Sequence, residues 1–112
     1  MVKRLYDQDL GRVDLVPQAI IKRSVRDLER DTALSFEREE DDLNEYHAAY
    51  FRTQVGVAAL IHHDGEPDDS ITVYLPRTLT SQEIDRAISK ILETLKIPES
   101  FLSWREKTDL RR

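Results

Sequence analysis

From Thr80 to Pro98 the apolar positions return every three or four residues, so that Ile84, Ala87, Ile88, Ile91, Leu92 and Leu95 share one helical face. Thr80 is the expected N-cap, Glu83 completes a capping box, and Leu79 with Ile84 supplies the hydrophobic staple. Pro98 disfavours the helical region for Ile97 and so closes the helix. Upstream the period changes to two. Ile71, Val73 and Leu75 alternate with Thr72 and Tyr74, which predicts a strand with the first set buried, stopped by Pro76. Val57, Ala59 and Ile61 alternate with Ala58, Leu60 and His62, and both sets are largely apolar, as on a central strand covered on both sides. Asp64-Gly65 and Pro67 mark the loop between these two strands.

The earlier chain is more ambiguous in its pattern. Leu43, Tyr46, His47 and Tyr50 have helical spacing, yet Tyr50, Phe51 and Thr53 favour strand, and Gly56 offers a turn before Val57. The expectation is a hairpin of 48–53 with 57–63. Leu34 and Phe36 alternate with Ser35 and Glu37 and predict another strand, running into the acidic run from Glu39 to Asp42. Pro17 suits a first helical turn, and Ile20, Ile21, Ser24, Val25 and Leu28 follow on one face. That predicts a helix over 17–30, with a strand through Ile21 and Val25 as the rival. Residues 1–12 read as a partly ordered arm, with a short extended piece at 13–16. Leu102 and Trp104 suit a short closing strand, Trp104 covering the core edge, and 106–112 read as a frayed charged tail. The expected fold is a two-layer α+β domain over 1–112 in the order α-β-β-β-β-α, with an antiparallel sheet of about four strands and both helices on one face.

Composition narrows the functions. Of 112 residues, 39% are apolar and 35% charged, enough for one core inside a heavily charged surface. No apolar run reaches membrane-span length, and Met1–Gly11 carries basic residues with no apolar block behind them, unlike a secretory signal. The absence of cysteine excludes disulfides, thiol nucleophiles and thiolate metal sites, and suits a cytoplasmic location. The net charge of -5 is uneven: Phe36–Ser70 carries -8 and the remainder +3. An acidic middle argues against nucleic-acid binding, which needs a cationic footprint.

Candidate chemistry gathers at His62-His63-Asp64, followed by Glu66, Asp68 and Asp69. Imidazole and carboxylate together suit zinc and similar ions. Adjacent strand residues point to opposite faces, so His62 and His63 do not share an ion on a continuing strand, whereas His47 joins one of them if the hairpin brings it near. The same loop imitates a calcium site, but Asp69 stands where the tight turn needs glycine and Leu75 where the bidentate acid belongs. No serine lies in a nucleophile-elbow pattern, and Gly11, Gly56 and Gly65 are too isolated to cradle phosphate. Arg23, Arg26 and Arg30 are diluted by Asp27, Glu29 and Asp31, as on a solvated helix face. The leading expectation is therefore a small acidic protein that binds a protein partner or a second copy of itself, without catalysis, cofactor, nucleic acid or membrane. The alternative is a metal-dependent enzyme using His47, His62 or His63 with Asp64 and the other acids of the 64–69 loop.

Overall fold

One antiparallel sheet organises the described residues, and its inner strands are rich in β-branched, aromatic and other apolar residues. The computed structural model describes residues 4–5, 14–40 and 45–105, with the backbone alone at 4–5 and 104–105. The described strands are β1 (Arg4–Leu5), β2 (Leu15–Ile21), β3 (Glu37–Glu40), β4 (Glu45–Thr53), β5 (Gly56–His63), β6 (Ile71–Pro76) and β7 (Leu102–Arg105). Across the sheet the order is β1-β4-β5-β6-β2-β7. β3 shares the outer side of β4 with β1, lying against Glu45–Ala48 while β1 lies against Tyr50–Phe51. Among the described residues two α-helices, α1 (Val25–Asp31) and α2 (Ser81–Leu95), make the fold α+β. The sheet is thus six positions wide among the described residues, wider than the four strands expected.

The expected α2 forms as its sequence dictates. The Thr80 hydroxyl accepts from the Glu83 N–H at 3.2 Å, and the Glu83 carboxylate accepts from the Thr80 N–H at 2.9 Å. Its buried stripe, Ile84 to Leu95, packs with Leu28 of α1 on Ala19, Ile21, Phe51, Leu60, Ile71, Val73 and Leu75. Both helices therefore sit on one face of the sheet. Each large aliphatic group removed from water there contributes roughly 1.5–3 kcal/mol before the cost of ordering the chain. The helix stops a little before Pro98, at Lys96, whose φ of 59° is left-handed and whose N–H turns back to the Glu93 and Leu92 carbonyls.

The predicted hairpin is β4 and β5, in register from Tyr46 opposite His63 to Thr53 opposite Gly56. The turn falls at Gln54–Val55, and Gly56 begins β5 at φ +124°. A Cβ added there would stand 3.2 Å from the Pro76 side chain, so glycine answers both the backbone angle and the close approach. β5 is buried continuously from Val57 to Ile61, as its two apolar faces predicted.

The helix expected over 17–30 is a correction. Its first half is β2, paired with β6 on one side and with β7 on the other. Pro17 is tolerated because the register shifts between Pro17 and Ala19, and because β7 reaches only Ala19–Ile21. Ser24 is not on a helix face. It caps α1, its hydroxyl accepting from the Asp27 N–H at 3.0 Å. The rival strand is right at Ile21 and wrong at Val25, which opens α1. Of the strand expected from Leu34 into the acidic run at 39–42, β3 at Glu37–Glu40 bears out the second part, 41–42 lie outside the described residues, and the start is corrected: Leu34 and Phe36 are buried but irregular. Side chains take their amides out of any ladder, Thr32 Oγ1 accepting from Leu34 N–H at 3.1 Å and Glu29 Oε2 from Phe36 N–H at 2.8 Å. The closing strand is present as β7. The arm at 1–12, apart from β1, the tail at 106–112 and the placement of the Trp104 side chain lie outside the described residues.

Candidate functional site

The hairpin register decides how the three histidines are distributed. His47 is directly opposite His62 on neighbouring strands, so both side chains leave the sheet on the same side, the one that carries the helices. His63 points to the other side, opposite Tyr46, and the two rings lie 5.4 Å apart at 43°. The expectation that His62 and His63 cannot share one ion on a continuing strand matches this placement. The condition set on His47, that the hairpin bring it near, is met for His62.

His47 and His62 open into a cleft of about 620 Å³ at the end of the β4–β5 hairpin, across from the first turn of α1. Asp27, Asp64 and Asp68 supply acid to its wall, and Arg26 supplies the base. His62 Nδ1 is 2.8 Å from the Ser70 carbonyl oxygen. A carbonyl only accepts, so Nδ1 carries the proton and, in the neutral ring, Nε2 keeps its lone pair free. Beside this pair, Arg38 stands across β4 from His62, opposite His47, and forms ion pairs with Glu45 and, at 4.0 Å, Asp64. Part of the acidic run is therefore paired. The loop after β5 is also tied down at its start, because the Glu66 carboxylate accepts from the His63 N–H at 2.9 Å. Among the described residues, no three histidine or acidic side chains stand close enough together to enclose a metal ion. The three arginines near α1 are used in local pairs or left in solvent: Arg23 meets Asp31 at 2.5 Å and covers the Phe101 ring at 5.6 Å, and Arg30 meets Asp27 and Asp31.

The opposite face of the sheet is a second feature, and sequence reasoning assigned no role to its side chains. Ala48, Ala59 and Ile61 form a separate apolar cluster there, with Tyr46, Tyr50, Tyr74 and Leu15 packed against it. Ala59 has Tyr50 across one neighbouring strand and Tyr74 across the other. Small residues in the middle strand let the large rings lie over them. The described residues place both helices on the other side. Tyr46 and Tyr50 each donate a hydroxyl hydrogen bond to Glu39, at 3.1 and 3.3 Å. Burial, and then the charge of Glu66, pushes the Tyr74 phenol up from its ordinary pKa. The alternation of Tyr46, Ala48 and Tyr50 was the available signal, and it was masked by the helical spacing of the same stretch.

Comparison of the chain with protein-family models, with curated proteins and with solved structures finds no match in any of the three.

Proposed function

We propose that this protein acts by binding, without a chemical step, and that the tyrosine-bearing face of its sheet closes on a second copy of the chain. The supporting observation is the cluster of half-buried Tyr46, Tyr50 and Tyr74 over Ala48, Ala59 and Ile61, on the side away from both helices. Tyrosine offers a large, stiff contact area with a polar tip, and it is enriched where proteins meet. A second copy fits the charge layout. On β4 the acid end lies beside Glu37 and Glu39, and Arg52 lies at the other end of the same face. A two-fold axis that lies between the two facing sheets, parallel to them and perpendicular to β4, turns the face over and reverses the strand, bringing Arg52 of one copy toward the acid end of the other. Complementary charge of this kind fixes register more than it adds affinity.

Sedimentation velocity across a wide concentration range tests the reading. The expected species has twice the 13.1 kDa of one chain. Tyr74→Arg is expected to return it to one chain with an unchanged far-ultraviolet dichroism spectrum. A wild-type protein that stays at single-chain mass at every concentration overturns the second-copy reading. A Tyr74→Arg variant that still dimerises moves the interface to another surface.

A further inference from the structure

We propose that His47 and His62 form a binding site for a divalent transition-metal ion, such as zinc, nickel or copper, in the cleft beside α1. Four observations carry it. The hairpin register sets the two histidines directly opposite each other on one face, where paired backbones stand about 5 Å apart, a spacing that two imidazoles can span with one ion between them. Both rings line the same open cleft, so an ion and its waters have a path and room. The Ser70 carbonyl holds the Nδ1 proton of His62 and orients its ring, leaving Nε2 as the donor; a backbone carbonyl on the far nitrogen is the usual support of a metal-bound histidine. The carboxylates of Asp27, Asp64 and Asp68 line the same cleft and lower the cost of placing a dication there.

Two imidazoles and, among the described residues, no third histidine or acidic donor in reach define the character of the site. Water fills the remaining positions, so the ion is exchangeable and bound far less tightly than in a four-ligand structural centre. Imidazole nitrogen selects copper, nickel and zinc over magnesium and calcium, which prefer oxygen. The site lies on the helix-bearing face and does not depend on self-association through the tyrosines.

The test uses untagged, chelator-washed full chain titrated calorimetrically with zinc, nickel and copper salts, with magnesium and calcium as controls. One transition-metal ion per chain is expected, and no heat of binding from magnesium or calcium. His47→Gln and His62→Gln are each expected to weaken binding by about tenfold or more. His63→Gln is expected to leave it unchanged, since that ring is on the opposite face. Nuclear magnetic resonance of the wild-type protein gives a reading that needs no variant. Zinc is expected to move the ring signals of His47 and His62 and to leave those of His63 in place. The proposal is overturned by an absence of binding, by binding that survives loss of both cleft histidines, or by zinc shifts confined to His63.

Discussion

At the residue scale, the ion pair of Asp14 with Arg77 shows how little an exposed contact weighs and how it can still be measured. The Arg77 guanidinium donates to Asp14 at 2.6 Å and joins the start of β2 to the end of β6, with the Arg77 N–H also donating to the Asp14 carbonyl at 3.0 Å. The guanidinium hydrogen bond, reinforced by the arginine charge, holds the Asp14 carboxyl below its ordinary range. A carboxyl depressed in the folded state stabilises the fold above the unfolded value, near pH 3.9, and the gain is lost as pH falls through the lower folded value. Both side chains are exposed, so solvent screening keeps the stability effect small. The sharper readout is the titration itself. Arg77→Gln is expected to raise the Asp14 midpoint toward the ordinary value, followed by carboxyl carbon shifts, while Asp31, held down chiefly by Arg30, stays where it is. An Asp14 midpoint that does not move would show that the pair does not persist in solution.

At the scale of elements, α2 and β2 behave oppositely. The signals of α2 are local: the cap and box lie within four residues, and the apolar stripe repeats within fifteen. Thr80→Ala is expected to cost about 1 kcal/mol by leaving a helix N–H without its partner. Ile88, at 1% exposure, faces the sheet core, so Ile88→Ala is expected to cost about 2–5 kcal/mol through lost burial and the cavity it leaves. Chemical denaturation followed by dichroism checks both, and an unchanged Ile88→Ala midpoint would mean that this face is not core. β2 carries no equivalent local signal. Ile20 and Ile21 satisfy either period, and Pro17 is allowed both at a first helical turn and beside a bulge. What selects strand is the partner on each side, β6 and β7, which no window around β2 contains. The buried but irregular Leu34 and Phe36 make the same point. Their apolar character was legible, whereas the side chains of Thr32 and Glu29 that take up their amides were not.

At the scale of the whole molecule, the sheet is assembled by pairing distant parts of the chain. β2 lies beside β6, and β7 adds to β2 from near the far end. Closing such long loops before their contacts stabilise anything slows folding. Stopped-flow refolding is therefore expected on the order of milliseconds to seconds, as for sheets built from non-local pairs, and microsecond refolding would show that the nucleus is local. The same distinction divides what was legible from what was not. The sequence alone determined α2, the β4–β5 hairpin, β6 and the α+β class, because caps, turns and periodicity act between near neighbours. It also determined that neighbouring histidines on a strand face apart. Only tertiary structure decided that 15–21 is strand, that the sheet is six positions wide among the described residues, and that Tyr50 and Tyr74 flank Ala59 from two different strands. It also decided that His47 and His62 meet in one cleft with α1. Those outcomes depend on register and on which strand lies beside which, and the free energy that sets them comes from burial between segments that are far apart along the chain.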